Sequence, residues 1–382
     1  MTPPVKELEA LIVAIIDSTL REGLQAVGIS FSPAAKAAIA GELLAIGIEE
    51  IEIGIASRRE EELTSLVQAI RAAPGPKGRL ALWSRCREED IAVAANLDID
   101  VLSLSIPVTD RLLASKMGCS RSGALALAER SVRQARRSFA YVSVGLEDAT
   151  RAEPEFLDQM IACIARAGAA RVRLADTVGH GSPGSIGRLV ARVRERSGLA
   201  VGFHGHNDFG MASANAVAAL DAGAEWVDAT VLGLGERAGN ARLEEVAAYL
   251  ALRQERGAYD LVRLRALCHR VARMAGREVA PQQPVIGEEI FACETGLHLV
   301  GLLEDPASYE PFAPATVGGR RRLYFGAKSG RRAVERALGA AGVSLSASGL
   351  EQVVRSLRHG AGLGRPPLPA ADLPEFARRV TG

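Results

Sequence analysis

The sequence predicts a (β/α)₈ TIM barrel followed by a smaller, mostly helical carboxy-terminal appendage. Three observations carry the prediction. A β-branched apolar run, a polar tip and an Ala-rich amphipathic stretch recur as one theme through the first 240 residues. The theme occurs eight times, which suits parallel strands joined by right-handed crossovers and closed on themselves. After residue 258 the theme stops.

The strand candidates are residues 12–20, 48–55, 80–83, 101–106, 141–146, 171–175, 200–203 and 226–232. Helical patterns lie between them. Residues 33–47 follow a Ser32 cap and close on Gly47, the usual start and stop chemistry of a helix. Residues 154–168 and 211–223 end in the same way. A doubly wound open sheet has similar grammar, but its mark is a Gly-rich turn after the first strand. Here that turn reads Asp17-Ser18-Thr19-Leu20-Arg21-Glu22-Gly23, which is not GxGxxG. The tail reads as a helix at 261–276, a Pro/Gln-rich loop at 280–287, a run at 291–303 and helices near 331–342 and 348–357. The division is a catalytic barrel domain, 1–258, and an appendage, 259–382.

Bulk chemistry narrows the class. The chain has 382 residues, 46 basic and 45 acidic, for a formal net charge of +1. No global field draws it to nucleic acid or to a membrane. An aromatic fraction of 4% leaves few platforms for stacking bases. Five cysteines with no CxxC pair fit a reducing compartment. Glu7 and Glu9 precede the apolar run at 11–16, so the start reads as a strand and not as a secretory signal. The expectation is a cytoplasmic protein with small-molecule substrates.

Catalytic groups of such barrels sit at the carboxyl ends of the strands. The seventh run ends His204-Gly205-His206-Asn207-Asp208. Period two puts both imidazoles on one face, with Gly205 leaving the opposite face open. Two imidazoles on one side can chelate a divalent ion; the alternative is a pair of surface histidines in a loop. Closing the barrel brings strand 1 beside strand 8 and strand 8 beside strand 7. Glu22, His204, His206 and Asn240 then converge as a His₂-carboxylate-amide set for Mg²⁺, Mn²⁺ or Zn²⁺. Glu22 alone reads equally as a salt-bridge partner of Arg21. Strand 5 ends in Glu147-Asp148 and strand 6 in Asp176-Thr177. Acids there serve as general bases or cap the next helix, and Asp148 and Asp176 suit the cap. The turn Gly233-Leu234-Gly235-Glu236-Arg237-Ala238-Gly239-Asn240 lets backbone approach a ligand closely.

These motifs together resemble the DRE-TIM metallolyase superfamily. Within it the chain resembles the Claisen-condensing branch of isopropylmalate, citramalate and homocitrate synthases. Glu294-Thr295-Gly296-Leu297-His298 and the segments 305–310 and 326–330 resemble that branch's appendage. The Trp83-Ser84-Arg85-Cys86-Arg87 and Leu104-Ser105-Ile106-Pro107-Val108 segments look most like the homocitrate synthases of nitrogen fixation. The resemblance implies condensation of acetyl-CoA with 2-oxoglutarate and hydrolysis of the thioester. It implies that Glu22, His204 and His206 hold the metal, with Asn240 near it. It gives Arg21 to the developing alkoxide, and Gln25 and Thr177 to the oxo acid. Glu147, His298 and Tyr309 match the group that deprotonates the acetyl methyl. The loop Gly235, Glu236, Arg237 and Gly239 is matched to acetyl-CoA. It also implies a homodimer whose appendages reach a neighbour's barrel. Lysine-synthesis homocitrate synthases carry His where this chain has Arg87, and Arg where it has Ser143. Arg87 is therefore the candidate for the distal carboxylate of the oxo acid. Leu24 stands where the family has Glu, and Cys293, Val300, Ala327 and Lys328 also depart from its pattern. The competing readings are another 2-oxo-acid carboligase, such as a citramalate or isopropylmalate synthase, a cleaving lyase of the same superfamily, and a catalytically dead binding subunit.

Overall fold

The computed structural model describes residues 13–57, 62–76, 78–255 and 258–382. Glu7, Glu9, Leu11 and Ile12, used above in reading the start of the chain, lie outside the described residues.

Eight parallel strands close into a barrel: β1 (Ala14–Asp17), β2 (Glu50–Ile55), β3 (Arg79–Arg85), β4 (Val101–Pro107), β5 (Tyr141–Glu147), β6 (Arg171–Asp176), β7 (Ala200–Gly205) and β8 (Trp226–Ala229). Closure rests on β1 and β8, which pair from Ala14 with Trp226 to Asp17 with Ala229. That closure excludes the doubly wound alternative. The interstrand helices follow the expected punctuation. Ser32 accepts a hydrogen bond from the Ala35 amide, and Gly47 ends the helix Pro33–Ile46 at φ 104°. Gly168 ends Pro154–Ala167 in the same left-handed conformation.

Two strands are shorter than their sequence runs. β1 stops at Asp17 because the amides of Arg21, Glu22 and Gly23 all turn back onto the Ser18 carbonyl. β8 stops at Ala229; Leu232 sits at φ 62°, and its amide donates to Glu244 instead of a neighbouring strand. Both turns lie on the rim where the strands end.

The chain divides into two compact units, Met1–Glu278 and Val279–Gly382. The division expected near residue 258 therefore falls inside the first unit. Its helix Leu261–Met274 buries Leu264, Leu267, Cys268 and Val271 while packing on helices Pro33–Ile46 and Leu243–Arg253. The second unit has helices Gly296–Glu304, Arg331–Ala340, Ala347–Gly362 and Leu373–Thr381. They enclose a core of Leu299, Phe325, Val334, Leu338, Val353 and Leu373. A small sheet joins them: β9 (Ala292–Cys293) and β11 (Leu368–Pro369) flank β10 (Arg322–Phe325). No helix among the described residues is long and apolar enough to cross a membrane. All five cysteines are free thiols.

Candidate active site

The barrel lumen is charged in layers. The inward positions of β2 are Glu50 and Glu52, those of β6 Arg171 and Arg173, and β8 adds Asp228. At the amino-terminal end Arg171 holds Glu50 through two nitrogens, at 2.5 and 3.1 Å, between the rings of Tyr141 and Trp226. One layer up, Arg173 Nη1 lies 3.1 Å from both Glu52 Oε1 and Asp228 Oδ2. Asp228 Oδ2 is also 2.9 Å from His204 Nδ1. At the rim Arg21 donates to Glu52 at 2.5 Å and pairs with Glu22. All of these side chains are buried, so each charge needs its partner in place.

The two rim histidines stand where the sequence puts them, on the inward face of β7 and the residue after it. Their Nε2 atoms face each other at 3.4 Å, and His206 Nε2 is 3.8 Å from Glu22 Oε1. Ligand atoms of Glu22, His204 and His206 all lie within 4.8 Å of one another. The face opposite the histidines is not open: a Cβ on Gly205 would stand 2.8 Å from the Phe203 ring. Glycine is needed there so that Phe203 can pack.

The chemistry of this triad fits a divalent cation. Burial and the neighbouring His204 push the His206 imidazole down to about 4, so it is held neutral with a lone pair to give. Burial alone would raise the Glu22 carboxyl, but Arg21, His204, His206 and Arg173 outweigh it and hold it low. Asp228 fixes the ring of His204 from behind, as metal-ligating imidazoles require. Three buried polar atoms here have no hydrogen-bond partner: His206 Nδ1, Asn240 Oδ1 and Asp228 Oδ1. Buried polar atoms without partners call for an explanation, and a bound cation is one. Asn240 is bridged to His206 through the backbone, and its Nδ2 donates to the Leu234 carbonyl. Glu22 is both things the sequence allowed: partner of Arg21 and member of the triad.

Five of the other expected residues share one cleft of about 230 Å³ with the triad. Arg21, Gln25, Glu147, Thr177 and Glu236 line it, together with Trp83, Ser105, Lys116 and Arg173. Glu147 accepts from Ser105 Oγ and from Lys116 Nζ, both at 2.7 Å. Thr177 Oγ1 accepts from the Asp148 amide. Neither Asp148 nor Asp176 caps the next helix as expected: Asp148 makes no side-chain cap bond, and the helix after Asp176 is capped by Ser182. Asp148 pairs with Arg151 three residues on, and Asp176 accepts from the His180 and Gly181 amides.

The Gly-rich loop is tight around Asn240. A Cβ on Gly239, at φ 87°, would lie 1.9 Å from the Gly233 carbonyl, and one on Gly235 2.1 Å from Asn240 Nδ2. Arg237 donates to Asp208 and to the Thr177 carbonyl, tying the rim loops of β6, β7 and β8 together.

Of that loop only Glu236 lines the cleft, while Gly235, Arg237, Gly239 and Asn240 do not, and Arg87, His298 and Tyr309 are not among its lining residues either. Arg87 is exposed and lines the next depression with Arg85, Glu89 and Asp90, sharing only Trp83 with the triad's cleft. It stands before helix Glu88–Ala94, so the helix start turns it outward. His298 and Tyr309 belong to the second unit, where their rings lie 4.4 Å apart with both residues exposed. Glu52, Arg173, Asp228, Ser105 and Lys116 were not singled out from the sequence. The first three carry a signal that was there to read: charged residues at period-two positions inside apolar strands. Lys116 carries none, since it sits on an irregular turn.

Fold and site together define an enzyme built on a metallolyase-type barrel. Residues 12–271 match the HMGL-like family, and residues 285–364 match a second family described as homocitrate synthase post-HMGL domain-like. The chain belongs to the HMGL-like family, in the branch that carries a post-HMGL domain. It is 42% identical over 331 residues to a homocitrate synthase of Frankia alni, covering 85% of this chain and 93% of that one. It is 37% identical to 2-isopropylmalate synthase 2 of Caldanaerobacter subterraneus subsp. tengcongensis, covering 84% of each. The crystal structure of hydroxymethylglutaryl-CoA lyase from Pseudomonas aeruginosa shares the fold, with a TM-score of 0.61 at 20% identity over 70% of this chain and 94% of that one.

Proposed function

We propose that this enzyme condenses acetyl-CoA with a 2-oxo acid, that the acid is 2-oxoglutarate, and that the products are homocitrate and CoA. The observation that carries the reading is the joining of the Glu22–His204–His206 triad, Arg21 and Glu147 in one rim cleft. Glu22, His204 and His206 would hold the divalent ion, with Asn240 beside them. Such an ion supplies Lewis acidity toward the keto and carboxylate oxygens of the oxo acid. Arg21, fixed by Glu22 and Glu52, offers a preorganised cation to the oxygen that becomes the alkoxide. Gln25 and Thr177 bind the oxo acid. Glu147 takes a proton from the acetyl methyl, aided by His298 and Tyr309. Water then hydrolyses the thioester and releases CoA.

The exposed His298–Tyr309 pair suits presentation to a second copy of the chain, so a homodimer with shared sites is part of the reading. Free thiols and near-neutral charge support a cytoplasmic location. The homocitrate synthase relatives favour homocitrate as the product, and a role in nitrogen fixation rests on the resemblance of segments 83–87 and 104–108. The 2-isopropylmalate synthase relative favours a second reading, the same mechanism with an apolar oxo acid. The deciding experiment is CoA release from acetyl-CoA with Mg²⁺ or Mn²⁺ across glyoxylate, pyruvate, 2-oxoisovalerate, oxaloacetate and 2-oxoglutarate. Preference for 2-oxoglutarate supports the proposal. Preference for another acid keeps the mechanism and changes the product. Silence across the panel with metal bound overturns it.

A further inference from the structure

Three cations line the triad's cleft among the described residues: Arg21, Arg173 and Lys116. Two of them are committed. Arg21 is held by Glu22 and Glu52, and Arg173 by Glu52 and Asp228; neither side chain is more than 5% exposed. Lys116 differs on every count. Its side chain is 51% exposed, and its ion pair is with Glu147. Its ammonium sits on a flexible four-carbon stem, whereas a guanidinium fork locked by two carboxylates cannot reorganise cheaply. The backbone under Lys116 is a π-helical turn, Leu113–Met117, anchored by buried Leu113 and closed by Gly118 at φ 61°. Single π-helical turns recur at functional sites.

Ser105, Gly145 and Ala175 are small residues in the cleft's lining, and Ser105 shares the Glu147 carboxylate with Lys116. A Cβ on Gly145 would meet the Leu104 carbonyl at 3.5 Å and Arg173 Nε and Ser105 Oγ at 3.8 Å, all ordinary contact distances. Ser143, one inward step below Gly145 on β5, is occupied by Arg171.

Resting on the carboligase reading above, we infer that Lys116 is a specificity-determining residue that binds the second carboxylate of a dicarboxylic 2-oxo acid. On binding, the ammonium exchanges the Glu147 carboxylate for the substrate's. Glu147 is thereby released for proton transfer only when a diacid is bound. A monocarboxylic oxo acid leaves the Lys116–Glu147 pair closed. Arg87, in the neighbouring depression, does not take this role.

The test is calorimetric binding of 2-oxoglutarate and of 2-oxovalerate, which lacks the second carboxylate, to the Mn²⁺-loaded full-length protein. The parent is expected to prefer 2-oxoglutarate by about tenfold or more, the worth of one charge-assisted contact. Lys116→Gln should reduce that ratio to roughly threefold or less while leaving 2-oxovalerate affinity in place, and Lys116→Arg should restore most of it. In turnover, Lys116→Gln should raise KM for the diacid. A ratio unchanged in Lys116→Gln, no preference in the parent, or collapse in Arg87→Gln instead of Lys116→Gln would each overturn the inference. An equal fall in kcat for both acids with the binding ratio intact would show that Lys116 acts only through Glu147, and would also overturn it. A parent that binds the diacid selectively yet releases no CoA with either acid would count against the carboligase reading and leave Lys116 its role.

Discussion

At the scale of single residues, the site is a chain of charges in which each member orients the next. Glu52 and Asp228 share Arg173, and Asp228 steers His204. His204→Ala should therefore lose metal and turnover together. Metal content after gel filtration, measured alongside CoA release, checks this, and full metal-dependent activity in the variant would remove His204 from the ligands. Asp228→Asn keeps the shape and weakens the orientation of the ring. Metal affinity should fall about 10–100-fold, as loss of such a supporting group does, in a chelator competition. Arg21→Ala should raise the barrier by about 3 kcal/mol, the usual cost of losing one oxyanion partner. Its signature is a fall in kcat with metal content preserved. A variant within about threefold of the parent, a difference of well under one decade, would take Arg21 out of the mechanism.

At the scale of elements, the Gly-rich loop after β8 is the most constrained piece of backbone on the rim. Gly239 has a positive φ and no room for a methyl group against the Gly233 carbonyl. Gly239→Ala should cost at least about 1–3 kcal/mol of local strain. Because the same loop carries Asn240, metal retention should weaken with it. A Tm and metal affinity equal to the parent's would show that the loop has slack. The elements also show what the sequence could tell. The eight strands and most helix ends were legible because period-two apolar runs and Ser or Gly caps are local signals. So were His204 and His206, whose period-two spacing puts them on one face, and Glu22, which joins them through barrel closure. The charge layers below them were written into Glu50-Ile51-Glu52 and Arg171-Val172-Arg173 and were overlooked, since apolar neighbours masked the alternation. The outward turn of Arg87 depends on where one helix starts, and the pairing of Lys116 with Glu147 on an irregular turn. Neither leaves a periodic trace. Helix Leu261–Met274 looked like the start of the appendage because nothing local says which unit a helix packs against.

At the scale of the whole molecule, the polar lumen sets a stability cost that depends on pH. Burial, with Asp228 and Glu52 nearby, outweighs the hydrogen bonds from Thr19 and raises Asp17 to about 7. Between its ordinary pKa of 3.8 and about 7 the folded protein binds this proton and the unfolded chain does not. Asp17 therefore makes stability fall as pH rises through that window. Asp17→Asn should gain on the parent as pH moves from 5 to 8 in urea titrations. A gap between the two that stays constant with pH would place the proton elsewhere. Two units, a polar lumen and a rim cleft make one account if the cleft performs metal-dependent carbon–carbon bond formation. The most direct check is CoA release from acetyl-CoA with 2-oxoglutarate by protein stripped with EDTA and then reloaded with Mn²⁺. The account predicts no release from the stripped protein, restored release on reloading, and homocitrate formed in step with CoA. Release that survives stripping, or CoA without a condensed product, would contradict it.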